Sequence, residues 1–149
     1  MKVVSEVRNE CADWVIPCNL NYFDLFGAFA RLPCIDWRQV ANSIEEGDTV
    51  YIYAGRPIQA IVFKCSVLRT NIPLEEMDDS DKPFNQEENP EPNKPYWRYM
   101  RLKPVGRFEQ DQITLHKLHE AGMKGNIQGQ RRVDAYMLEV IRSAKLLNV

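Results

Sequence analysis

Cysteine is scarce in this chain and histidine scarcer. Four cysteines (Cys11, Cys18, Cys34, Cys65) occur without a CxxC pair, and the two histidines, His116 and His119, stand three residues apart. Those counts leave no usual zinc-finger ligand pattern, and without a secretory route they favour free thiols over disulfides. No P-loop, GxSxG or HExxH run is present, which closes the familiar routes to phosphoryl transfer, serine hydrolysis and metalloprotease chemistry. His116 and His119, with Glu120 adjacent, share a helix face, but a zinc site needs further ligands that nothing nearby supplies. We expect no metal, no cofactor and no enzymatic activity. Long apolar runs are missing too. Nothing approaches the roughly 18 residues of a membrane span, and the opening "MKVVSEVRNE" has no apolar heart of the secretory type. A cytoplasmic protein with free, buried thiols and no membrane partner is the expectation.

Net charge is small as well. The formal value of −2 over 149 residues looks unpromising for a partner of nucleic acid, but it conceals a partition. Residues 75–95, "EEMDDSDKPFNQEENPEPNKP", hold eight acids and two lysines, so the rest of the chain is net positive by about four charges. Residues 97–149 alone carry ten basic against five acidic side chains. One acidic stretch masks a basic domain. Hydrophobic residues at 44% suffice for one packed core at this length.

Periodicity then gives the elements. "DWVIPCN" (13–19) reads as a short apolar strand that stops at Pro17. In "NYFDLFGAFARL" (21–32), Tyr22, Leu25, Phe26 and Phe29 recur at i, i+3, i+4 and i+7, which predicts an amphipathic helix capped by Asn21. "IDWRQ" is extended, and Gly47-Asp48 marks a turn. "TVYIYAG" (49–55) alternates Val50 and Ile52 against Tyr51 and Tyr53, while "AIVFKCSVLRT" (60–70) puts Ile61, Phe63, Cys65 and Val67 on one side. Acidic and proline-rich, residues 75–95 predict a long flexible loop. "YWRYMRLKPVGRF" (96–108) resumes strand character until Pro104, with Met100 and Leu102 toward the core and Trp97, Tyr99, Arg101 and Lys103 opposite. Thr114 caps a short helix that Gly122 ends. From Arg131, the spacing of Val133, Tyr136, Met137, Val140, Ile141 and Ala144 marks a closing helix. No internal repeat occurs. The sum is one α+β domain over residues 1–149, built around a small, strongly curved sheet or barrel.

Three groupings have the makings of a binding site. The strand face Trp97, Tyr99, Arg101 and Lys103 interleaves rings with cations, which suits stacked bases and phosphates. Rings packed under a helix beside solvated cations would give the same pattern. Trp14, Asn19, Trp37, Arg38 and Tyr53 bring rings and an amide to strand ends. They could hold an extruded nucleobase between rings and read its edge, or they could simply pack the core. Finally, "GMKGNIQGQRR" (122–132) brings Lys124, Gln128, Gln130, Arg131 and Arg132 to the start of a helix, where N–H groups and glycines favour an anion. Plain helix punctuation is the alternative. Cys65, in mid-strand on an apolar face, reads as core.

The order "WVIPCN", an aromatic helix, "IDWRQVANSIEEGDTVYIYAG", "KCSVLRTNI" and a late "GNIQGQRR" before a helix resembles the EVE domain over roughly residues 12–144. That domain belongs to the PUA-like superfamily with the YTH and SRA readers of modified bases. The chain is most similar to EVE-type modules that precede HNH nucleases in modification-dependent restriction enzymes. It departs from stand-alone EVE proteins in having only "IDWRQVAN" where they carry a longer Asn- and Arg-rich stretch. The resemblance implies a PUA-like curved β-barrel with flanking helices and a pocket for one base. Trp14, Asn19, Trp37, Tyr53 and Gln128 would line that pocket, and Arg38, Lys124, Arg131 and Arg132 would hold the nucleic-acid backbone. The ligand it implies is 5-methyl- or 5-hydroxymethylcytosine flipped from DNA. Two histidines three residues apart cannot assemble an HNH site, so a nuclease would be a partner, fused or separate. An RNA-binding module of the same fold is one alternative, and a protein-interaction domain using the acidic stretch is another.

Overall fold

The computed structural model describes residues 10–86 and 93–149; the opening stretch read above for a secretory signal, and residues 87–92 of the acidic segment, lie outside the described residues. Strands β1 (Asp13–Cys18), β2 (Ile35–Gln39), β3 (Thr49–Ala54), β4 (Ala60–Pro73), β5 (Arg98–Arg107) and β6 (Arg131–Arg132) form one sheet in the spatial order β2-β5-β4-β3-β1-β6. β1 runs parallel to β3, and the other neighbours are antiparallel. Among the described residues three helices accompany them: α1 (Leu25–Arg31), α2 (Leu115–Ala121) and α3 (Ala135–Ser143).

The alternation in β3 divides two cores. Val50 and Ile52 join Trp14, Ile16, Cys65, Met100 and Leu102 on the inner face of the curled sheet, which Leu25, Ala28 and Phe29 of α1 close. Tyr51 and Tyr53 point the other way, with Val15 and Phe108, onto Leu118 of α2 and Met137 and Ile141 of α3. Each fully buried aliphatic or aromatic side chain here contributes about 1.5–3 kcal/mol. Ile61 does not share a face with Phe63, Cys65 and Val67. The pairing steps from Ile52↔Phe63 to Tyr53↔Ile61, and this bulge sends Ile61 to the helix-covered side while Val62 joins the inner core.

Several boundaries differ from the sequence reading. α1 starts at Leu25, because residues 19–23 are spent on a turn in which the N–H groups of Tyr22 and Phe23 donate to the Asn19 carbonyl. Asp24, not Asn21, caps it, accepting from the Gly27 N–H at 3.0 Å. β5 does not stop at Pro104, which sits opposite Cys65 beside a register shift where the missing N–H is tolerated. Arg131 and Arg132 belong to no helix. They pair with Val15 and Trp14 along the open edge of β1, and Asp134 then caps α3 by accepting from Met137 N–H at 2.8 Å. The two arginines therefore do not open α3, where the sequence reading puts them. Thr114 and Gly122 cap α2 as the sequence predicts, Gly122 with φ of +119°.

Up to Gln86 the acidic stretch is no open loop. It forms 3₁₀ turns at Leu74–Glu76 and Lys82–Phe84 and is pinned to the rest of the fold. The Asp24 N–H donates to the Phe84 carbonyl at 2.7 Å, the Gln86 N–H to that of Tyr22 at 2.8 Å, and the Asp78 N–H to Asp36 Oδ2 at 2.8 Å.

Candidate functional site

A cavity of about 820 Å³ opens where the end of β1, strand β2, the start of β5 and the folded acidic segment meet. Asn19, Trp37, Arg38, Asp81, Trp97 and Tyr99 are among its lining residues. Trp37 is half-buried on β2 and meets the Phe23 ring edge-on, with centroids 5.8 Å apart. Arg38 lies with its guanidinium carbon 3.5 Å from the centroid of the Trp97 ring, a close cation–π stack. Trp97 and Tyr99 pack with Ile72 in a small third core, which Leu74 and, from the acidic segment, Met77 cover.

Polar groups in this wall are unequal in their freedom. Asp36 has a fully buried side chain and a bidentate pair with Arg101, Nε to Oδ1 at 2.8 Å and Nη2 to Oδ2 at 3.0 Å, besides accepting from Asp78 N–H. Both of its oxygens are engaged. Arg101, expected as a free cation beside the strand's rings, is thereby committed to structure, and the hydrogen bond to Asp36 raises its already high pKa. Asp78 accepts from the Ser80 hydroxyl and backbone N–H, which hold its carboxyl below the usual range. Asp81 accepts a hydrogen bond from its own backbone N–H, which lowers its pKa less than burial raises it. Burial, with the charges of Asp36, Asp78 and Asp79 adding to it, pushes its pKa up to about 6. Tyr99 is 3% exposed, and its hydroxyl has no hydrogen-bond partner among the described residues. Burial raises its pKa, so it stays a neutral donor. An unpaired buried hydroxyl costs about 1–3 kcal/mol, which a bound ligand can recover.

The structure gathers some of the expected site residues and disperses others. Asn19, Trp37 and Arg38 meet at the cavity. Trp14 does not. Opposite Val50 on the inner face, it donates its indole N–H to Asp48 Oδ2 at 2.9 Å. Tyr53 lies across the sheet under the helices. Trp14, held to Asp48 in the inner core, and Tyr53, beneath the helices, therefore do not join Trp37 in a cage at this cavity. Trp97 and Tyr99 stand in that place, and their interleaving with cations was the signal for them. Gln128 is exposed, while Gln130 does the tethering: its Oε1 accepts from the N–H groups of Val40 (2.8 Å) and Ala41 (3.1 Å), and its Nε2 donates to the Arg38 carbonyl (2.7 Å). Lys124 is exposed, Arg131 pairs with Asp134 at 2.8 Å, and Arg132 lies over the Trp14 ring at 5.4 Å.

Other candidate chemistry is absent from the described residues. No group of three or more His, Cys, Asp or Glu side chains is placed to hold a metal, and His116 instead faces Glu120 at 3.3 Å on the surface. All four cysteines are free. Burial pushes the Cys18 thiol up to about 12 and raises that of Cys65 as well, which favours the neutral thiol at both. No helix is long and apolar enough to cross a membrane.

A six-stranded sheet curled around an inner core, backed by helices and open to a cavity at one end, defines a PUA-like α+β domain. Within that class the chain belongs to the EVE domain family, whose model matches residues 14–141. Solved structures agree on the fold. ASCH from Zymomonas mobilis is similar with a TM-score of 0.63 and 11% identity, over 92% of this chain and 99% of its own. A hypothetical protein from Leishmania major gives 0.60 and 18% over 90% and 94%, and a protein from Rhodopseudomonas palustris gives 0.58 and 14% over 89% and 91%. No curated protein matches in sequence.

Proposed function

We propose that the protein is a non-catalytic module that binds nucleic acid and holds one modified base, 5-methyl- or 5-hydroxymethylcytosine in DNA, extruded into the cavity beside Trp37. The family's association with nucleic acid supports the general reading. The observation that carries the specific one is the wall: Trp37, Trp97 and Tyr99 supply rings around a space ample for a base, and Asn19 and Arg38 supply polar contacts. Extrusion costs a few kcal/mol, and each base–ring stack returns about 1–3 kcal/mol. Lys124, Arg131 and Arg132 hold the phosphates, and Gln128 stands beside them. Trp14 and Tyr53 support the fold around this site. Cleavage belongs to a nuclease partner, fused or separate, in the cytoplasm.

The test is fluorescence anisotropy with duplexes that differ only in carrying cytosine, 5-methylcytosine or 5-hydroxymethylcytosine, and with single-stranded RNA of the same sequence. Tighter binding of a modified duplex, weakened about tenfold or more by Trp37→Ala, is expected. Equal binding of all duplexes, untouched by Trp37→Ala, would overturn the reading, and preference for the RNA would move it to the RNA-binding alternative.

A further inference from the structure

We propose that Asp81 and Tyr99 read the edge of the bound base, and that together they select cytosine-type bases over thymine. The inference rests on the base-binding reading above and adds to it the reading groups. Both residues line the cavity. Tyr99 presents a buried hydroxyl without a partner among the described residues, and Asp36, the buried carboxyl of the wall, is fully engaged by Arg101 and Asp78. Of the two other carboxyls in the lining, Asp79 is exposed and Asp81 half-buried, which leaves Asp81 to act within the cavity.

The edge of cytosine offers, in order, an amino donor, a ring-nitrogen acceptor and a carbonyl acceptor. A protonated carboxyl answers the first two, its C=O accepting from the amino group and its O–H donating to the ring nitrogen. The Tyr99 hydroxyl answers the third as a donor. A methyl or hydroxymethyl group at position 5 lies off this edge and leaves it unchanged. Thymine places an N–H where cytosine has its acceptor nitrogen, and that N–H can donate to an ionised Asp81 without any proton uptake. Burial and its acidic neighbours keep the Asp81 pKa at about 6, against the cations that also face the cavity, Arg38 on β2 and Lys82 on the same segment, and with Asp36 already held by Arg101. Above that pH, free Asp81 is ionised and the cytosine complex must take up a proton to form.

5-Methylcytosine and thymine share the 5-methyl group and differ along this edge, so single-stranded oligonucleotides carrying one or the other, or an abasic site, isolate the effect. Anisotropy titrations of the full chain from pH 5.5 to 8.5 should show affinity for 5-methylcytosine falling by up to about tenfold per unit above pH 6, with thymine nearly flat. Asp81→Asn, whose amide supplies a donor and an acceptor at every pH, should retain 5-methylcytosine with a flat profile, whereas Asp81→Ala loses it. Tyr99→Phe should weaken 5-methylcytosine about fivefold and thymine little. If 5-methylcytosine binds independently of pH, or the Asn and Ala variants behave alike, this inference fails while base binding stands. If neither base binds better than the abasic strand, both fall.

Discussion

At the scale of single residues, the most consequential group outside the cavity is Asp48. It is 1% exposed, and its carboxylate accepts from Ala12 N–H, the Trp14 indole N–H and Glu45 N–H, each at 2.9 Å. This one side chain ties the entry of β1 to the turn before β3, and it explains a tryptophan on a short strand without any ligand. Replacing Asp48 with Ala strands two buried donors and a half-buried one, so a loss of about 3 kcal/mol is expected. Urea unfolding checks this through a lowered midpoint at unchanged slope, with Asp48→Asn, which keeps one oxygen, losing less. A loss under about 1 kcal/mol would show that water or rearrangement replaces the carboxylate. In the sequence Gly47-Asp48 is legible as a turn, and Gly47 indeed has φ of +87°. The role of the carboxylate is not legible, because two of its partners lie 34 and 36 residues away.

At the scale of elements, β2 and β6 are the two ends of the sheet order, and the Gln130 side chain bonds the backbone at the end of one to the start of the other. A side chain thus closes a seam that no strand pairing closes. Gln130→Ala should cost about 1–3 kcal/mol and speed amide exchange at Val40 and Ala41 relative to α3, as hydrogen exchange by NMR would show; unchanged protection there would mean the seam is held otherwise. Strand β1 is legible as a short apolar run, and β3 and β4 as longer runs whose alternating residues face opposite sides. β6 is not, since two residues carry no period, and the arginines lent themselves to a helix start instead. Likewise, the rings of β5 are legible as a binding face, but the far wall is not. Asp81 sits in a stretch whose composition argues for solvent, and only its docking on Asp36 and Tyr22 brings it to the cavity.

At the scale of the whole molecule, the charge partition acquires a geometry. Gln130 fastens the basic 124–132 loop to the backbone of Arg38 on one side of the cavity, while the acidic segment docks against Asp36 on another. Phosphates and base edge would then meet opposite fields: the backbone is attracted along the loop and repelled from the acidic wall, and only the uncharged base profits from entering. Phosphate contacts release counterions, so log K should fall linearly with log salt, by roughly 0.9 for each contact. Lys124 is exposed and Arg132 exposed beside the Trp14 ring, whereas Arg131 is drawn to Asp134. Replacing Lys124 and Arg132 with Ala should therefore flatten the salt slope by about 2 and weaken modified and unmodified duplexes by the same factor, with Arg131→Ala doing less. Titrations at three or more salt concentrations read this directly. An unchanged slope would place the phosphate path elsewhere on the molecule, and a loss confined to the modified duplex would make these cations part of the base site.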